Sequence, residues 1–135
     1  MQKIVVDTNI LIDYANGHAK WLDDFLKSKI SSAALFLPTI VIAEYFTSTT
    51  LENKEDAEIA DKTFSFFIKQ DLNEDIAKIL GAIMRRKTYI QGASLADLII
   101  AATAICLDAE LATRNKSDFE KIPNLRFFDP KKLRN

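Results

Sequence analysis

Apolar and polar positions alternate along the chain in blocks that read as strand, helix, strand. Residues 3–7, KIVVD, form a short β-branched run closed by an acid, the profile of a buried and central parallel strand. Two helical stretches follow, over 9–16 and 19–29, the second carrying Trp21, Leu22, Phe25 and Leu26 on one face. Residues 34–37 read as a second strand. Pro38 and Thr39 open a helix bearing Ile40, Val41, Ile42, Tyr45 and Phe46. The charged stretch 52–61, continuing into Phe64, Phe66, Phe67 and Ile68, predicts a helix leading to a third strand over 68–72. From 73 to 86, Ile76, Ile79, Leu80, Ile83 and Met84 recur at helical spacing. A helix over 94–107 is apolar nearly all round, so it should be buried. Residues 110–113 and 125–128 read as two last strands. Alternating strands and helices predict an α/β fold with a mostly parallel sheet.

The chain has 135 residues, and with no repeat, linker or low-complexity segment it reads as one domain, 1–135. With 48% hydrophobic residues it can bury a core without staples. Three Gly and three Pro leave too few turn-formers for an all-β sandwich. One Cys excludes an intrachain disulfide and multi-cysteine metal sites, and one His excludes two-histidine metal motifs. A net charge of −1 gives no global basic field for nucleic acid, so phosphate affinity must come from local patches or bound metal. No apolar run approaches the roughly 20 residues of a membrane span, and the start of the chain lacks a signal-peptide pattern. The expected location is the cytoplasm, without membrane partners.

Four acids stand at or beside strand ends, where sites form in open parallel sheets. Asp7 ends the first strand, and its structural alternative is a helix N-cap. Glu44 lies among apolar residues in TIVIAEYF, where the alternative is a solvent-facing helix position. Asp97 follows Ser94 at the spacing of a capping box. Asp118 follows the fourth strand in a polar loop that needs no function. If these acids converge, their mutual repulsion calls for a cation. An oxygen-only ligand set points to Mg²⁺ or Mn²⁺, which activates water and neutralises a phosphodiester during in-line displacement.

VVDTNILIDY, IAEYF, SLADLIIAATAICLDAELATRNKSDFEKIP and LRFFDP together resemble a PIN-domain protein of the VapC type, the toxin ribonucleases of toxin–antitoxin pairs. The resemblance runs over residues 3–130 with the motifs in family order. It implies a parallel five-stranded sheet between helices in a three-layer sandwich, strand order 3-2-1-4-5, and metal-dependent hydrolysis of RNA. Asp7, Glu44 and Asp97 match the family's acidic positions, and Asp118 best matches the fourth and most variable one. Thr8, Thr113 and Asn115 match polar residues that orient ligands or water. A cognate antitoxin and a homodimer are the implied partners. Apolar surplus over 40–46 and 64–68 points to the same dimer.

Rival readings meet specific obstacles. A receiver-like domain wants an acidic pair after the first strand, and a HAD-like domain wants a second Asp at position 9, which is Asn. A non-catalytic binding module would use the acids as caps and show no response to divalent ions. Cys106 reads as a small core residue, His18 as surface, and Trp21 and residues 64–67 as core or dimer contact. Arg85, Arg86 and Lys87 suit a helix C-terminus with or without a role toward RNA.

Overall fold

A computed structural model of the chain describes residues 1–28 and 33–132. Lys29, the expected end of the second helix, and residues 133–135 of the expected domain lie outside the described residues. Strand β1 (Gln2–Val6) carries Ile4, Val5 and Val6, each 0% exposed. A strand apolar on both faces has to be central, with helices covering both sides. β1 pairs in parallel with β2 (Ala33–Pro38), Ile4 opposite Leu35, and with β4 (Glu110–Ala112), Ile4 opposite Glu110. β3 (Ile68–Gln70) and β5 (Arg126–Phe127) form the edges. The sheet is all parallel in the order β3-β2-β1-β4-β5, as the resemblance implied.

Six α-helices connect the strands among the described residues: α1 (Thr8–Ala15), α2 (Lys20–Lys27), α3 (Thr39–Tyr45), α4 (Lys54–Phe64), α5 (Glu74–Arg86) and α6 (Leu95–Cys106). Their ends follow from local chemistry. Asn73 Oδ1 accepts the Ile76 amide at 2.9 Å and starts α5. Lys87, left-handed at φ 54°, ends α5 directly after Arg85 and Arg86, whose charges suit the helix C-terminus. In α6 every residue from Leu98 to Ala104 is buried. Thr103, its one polar member in that run, donates its hydroxyl to the Ile99 carbonyl at 2.7 Å and so buries no unpaired group.

Two local differences from the sequence expectation have clear causes. The charged helix does not begin at Glu52. Residues Thr49–Glu52 form a separate 3₁₀ turn, because Asn53 sits extended and its side chain takes the Glu55 amide at 2.8 Å, restarting the chain as the cap of α4. Pro38 ends β2 and caps α3 with extended ψ of 136°, where its missing N–H costs nothing. The apolar surplus also divides. Phe64 and Phe67 enter the core, with Phe64 edge-on to Tyr45 at 5.5 Å, whereas Phe46, Phe66 and Ile68 stay exposed. Trp21 packs on Phe128 at 4.9 Å between ring centroids, His18 is exposed and Cys106 is half-buried.

The chain leaves β1 toward β2 and β3, then returns past it to β4 and β5. That reversal of strand order opens a crevice beyond the carboxyl ends of β1 and β4. The arrangement depends on α6 as a core helix. Replacing the fully buried Ile100 by Ala should lower the unfolding free energy by about 2–5 kcal/mol. Urea denaturation reads this directly, and a loss below about 1 kcal/mol would show that α6 is not part of the core.

Candidate active site

Asp7 follows β1 at the reversal point, and its amide donates to the Ala112 carbonyl at 3.0 Å, extending the β1–β4 pairing by one step. The backbone there is extended, so the side chain caps α1: Oδ1 accepts the Thr8 amide at 2.7 Å. Oδ2 accepts from Thr113 Oγ1 at 2.8 Å and from Asn9 Nδ2 at 3.1 Å. The side chain is 5% exposed. The capping alternative for Asp7 therefore holds, and the same carboxylate also ties α1 to the loop after β4 through Thr113.

Thr113 contributes a hydroxyl with a fixed sense. Its oxygen accepts from the Asn115 amide at 3.1 Å and from Asn9 Nδ2 at 3.4 Å, so its single proton goes to Asp7. Thr8 serves two acids at once. Its amide goes to Asp7, and its hydroxyl donates to Glu44 Oε1 at 2.7 Å. Glu44 is thus half-buried and turned toward α1, away from the solvent-facing position its sequence context allowed. Asp97 forms the capping box in full: its amide donates to Ser94 Oγ at 3.1 Å, and its Oδ2 accepts the Ser94 amide at 3.4 Å.

Asp97 and Glu44 lie near enough for their charges to act on Asp7. Burial is the largest cause raising the Asp7 pKa above its ordinary 3.8. Hydrogen bonds from Thr113 and Thr8 lower it, while the charges of Asp97 and then Glu44 raise it. Asp118 stands apart: it closes the 3₁₀ turn Lys116–Asp118, and among the described residues no hydrogen bond ties its carboxylate to the other three. Asn115 contributes its backbone amide to Thr113, and its side chain caps nothing. Sequence reading missed Asn9, which joins Asp7, Thr113 and, through Oδ1, the Arg114 amide at 3.1 Å. Its place two residues after Asp7 in Asp-Thr-Asn was the available signal.

The donor set suits a hard divalent cation. It offers carboxylate and hydroxyl oxygens alone, with His18 exposed and Cys106 in α6. Among the described residues no three His, Cys, Asp or Glu side chains are grouped to cage a metal by themselves. Mg²⁺ does not require such a cage, since it keeps several waters and takes one or two carboxylates plus substrate phosphate. Raised ionisation cost at Asp7, driven partly by two neighbouring acids, is the electrostatic condition that a cation would relieve.

These contacts set a pH dependence. With its folded pKa above 3.8, Asp7 makes the native chain bind more protons than the unfolded chain in the interval between the two values. Its contribution to stability therefore improves as pH falls through the folded pKa, and its full cost is present above it. Thr113→Val removes the larger of the two lowering hydrogen bonds and should move the Asp7 pKa further up. Carboxyl ¹³C titration by NMR measures this, and an unchanged value would show that the Thr113 hydroxyl does not donate to Asp7.

Comparison with known proteins places this chain in a family. The PIN domain family model matches residues 4–125. Ribonuclease VapC19 of Mycobacterium tuberculosis is 30% identical over 90% of this chain and 96% of its own length. A toxin–antitoxin complex from Klebsiella pneumoniae contains a chain 28% identical, with a TM-score of 0.69 over 94% of this chain and 97% of that one. DNA-bound VapBC from Salmonella typhimurium, at 21% identity, shares the fold with a TM-score of 0.77 over 96% of this chain and 99% of that one. By motif order, sheet topology and these likenesses, the chain belongs to the PIN-domain family, among relatives of the VapC ribonucleases.

Proposed function

We propose that this chain is a Mg²⁺-dependent endoribonuclease and the toxin of a toxin–antitoxin pair. The observation that carries the reading is Asp7: a desolvated carboxylate at the strand-order reversal, its ionisation opposed by Asp97 and Glu44. The VapC relatives named as ribonucleases support the reaction class. One or two carboxylates of Asp7, Glu44 and Asp97 would hold Mg²⁺, or Mn²⁺ in its place, with water and substrate phosphate completing the coordination, and Asp118 is the fourth acid, on the loop after β4. Bound there, the cation supplies charge neutralisation for a phosphodiester and activation of water.

The chain's own residues do the rest. Thr113 and Thr8 donate to the two oxygens of Asp7 and pull its pKa down against the burial that raises it. Thr8 fixes one oxygen of Glu44, and the capping box fixes one oxygen of Asp97. In each of these two, the second oxygen takes no hydrogen bond among the described residues and is available to a ligand. RNA would supply the phosphodiester, and attack of water on its phosphorus would break the P–O3′ bond, the 3′-oxygen leaving as a hydroxyl with a proton from the water and the other fragment keeping a 5′-phosphate.

The antitoxin reading rests on toxin–antitoxin complexes among the structural neighbours and on the surface beside the site. A groove of about 790 Å³ runs between α1, α2 and α4, with Leu11, Tyr14, Leu26 and Phe66 along it and Lys20, Lys27 and Lys62 among its polar lining. It shares Ala15 and Tyr45 with a smaller hollow of about 260 Å³ that reaches Glu44. An antitoxin segment lying in the groove would extend through the hollow and place an Arg among the acids, pairing through its planar fork. Exposed Phe46, Phe66 and Ile68 supply apolar surface for a homodimer, for which sedimentation at micromolar concentration should give twice the chain mass.

The deciding experiment is cleavage of RNA by the purified chain. Activity should require Mg²⁺ or Mn²⁺, stop with EDTA and yield 5′-phosphate ends. A 2′,3′-cyclic phosphate would mean attack by the RNA's own 2′-hydroxyl and would overturn the mechanism. Asp7→Asn and Asp97→Asn should each abolish cleavage and the rise in melting temperature that Mn²⁺ gives the unaltered chain by mass action. If Asp97→Asn instead keeps full activity and loses several degrees of melting temperature, Asp97 acts only as a cap. Co-expression with the protein of the adjacent reading frame should relieve growth arrest and silence the nuclease. Binding with activity intact would rule out the plugged site.

A further inference from the structure

We propose that the ion pair between Asp13 and Arg114 is a positioning clamp that holds the loop after β4 against α1 and thereby keeps Thr113 on Asp7. Arg114 Nη1 meets Asp13 Oδ1 at 2.7 Å, with the Asp13 side chain 15% exposed and that of Arg114 58% exposed. The same residue is held a second time through its backbone, whose amide donates to Asn9 Oδ1 at 3.1 Å. Asn9 and Asp13 are four residues apart on α1, so they lie on one helical face and grip Arg114 at two points. One residue earlier, Thr113 donates to Asp7 Oδ2 at 2.8 Å. Displacement of Arg114 from α1 carries Thr113 with it, because the two share a peptide bond and no regular structure separates them.

The clamp is needed because β4 stops early. Its last residue is Ala112, so Thr113 and Arg114 lack the strand pairing that holds the residues before them. Among the described residues, the loop's contacts to α1 and Asp7 are the hydrogen bonds of Thr113 and Arg114 together with the Asp13 pair. A half-exposed ion pair adds little to global stability, so its loss should leave the fold in place. The geometry at Asp7 is a different matter, since an ångström of misplacement at a reacting centre carries a large rate penalty. Arg114 touches none of the acids of the proposed site and acts through Thr113.

The kinetic half of the test rests on the nuclease reading, and the exchange half does not. Asp13→Ala leaves Arg114 and Thr113 unaltered. In that variant the amides of Arg114 and Asn115 should exchange with deuterium about fivefold faster than in the unaltered chain, while amides of α6 keep their rates. In nuclease assays, Asp13→Ala and Arg114→Gln should each lower kcat on the order of tenfold with KM little changed. Arg114→Lys should restore most of the rate, because the contact is a single N–O pair and not a fork. Unchanged exchange at Arg114 and Asn115 in Asp13→Ala overturns the clamp. So does a raised KM with intact kcat in Arg114→Gln, which would make Arg114 a contact to RNA. An unaltered chain without nuclease activity overturns the proposed function and leaves the exchange result to decide the clamp.

Discussion

The structure depends on accommodating one carboxylate where water scarcely reaches it. Asp7 is 5% exposed at the end of a central strand, and an unpaired charge in such a place would cost several kcal/mol or give up its ionisation. Donors from three residues, Thr8, Asn9 and Thr113, cover its two oxygens. Hydrogen bonds to a charged acceptor contribute about 1.5–3 kcal/mol each, enough together to oppose the burial. They do not remove it, for Asp97 and Glu44 add repulsion and the pKa stays above its ordinary value. An N-cap alone needs neither this depth of burial nor two neighbouring acids, and Ser, Thr or Asn would cap α1 without a charge. The presence of Asp7, so supported, is the physical argument for a site.

Asp97 shows how a cap can also carry a charge that acts on Asp7. Helix N-termini favour a negative charge, by about 0.3–1 kcal/mol when exposed, and the capping box adds a contribution of about 1 kcal/mol from Ser94. Those terms offset the cost of setting a second carboxylate near Asp7. The helix that follows is apolar almost all round and buried from Leu98 to Ala104, which fixes the direction of its first turn. Packing of α6 in the core and placement of Asp97 beside Asp7 are one event.

Much of this could be read before any coordinates. β1 and α6 were legible because their apolar runs exceed what one exposed face allows, and α5 because its periodicity and its Asn73 cap are local. Asp7, Glu44 and Asp97 stood out as carboxylates in costly places. What escaped were relations fixed by the sheet order. Asn9 meets Thr113, and Asp13 meets Arg114, at separations of 104 and 101 residues, and no window along the chain contains such a pair. The partner of Glu44 was equally hidden, since Thr8 reaches it only once α1 and α3 pack together. The 3₁₀ turn before α4 was obscured by composition, because charge content does not show that Asn53 will turn its side chain onto the backbone. Asp118 was grouped with the other three acids by its place after the fourth strand as well as by the family pattern, and it closes the 3₁₀ turn Lys116–Asp118.

The long separations also determine when the site comes into being. Glu44 is tied to Thr8 across 36 residues, and Thr113 to Asp7 across 106. Closing the longer loop costs only modestly more in chain entropy than closing the shorter one, since the cost grows with the logarithm of length. The contact itself, however, needs β4 paired to β1, which in turn needs α6 packed beneath them. Before β4 docks, Asp7 lacks both the Thr113 hydroxyl and the surrounding apolar wall. It is then an ordinary hydrated carboxylate with no reason for a shifted pKa. Desolvation of Asp7 and the Thr113 hydroxyl that lowers its pKa therefore both depend on the pairing of β4 with β1. Asp7, Glu44 and Asp97 come from different elements, so a partly folded chain holds these residues without the contacts that relate them.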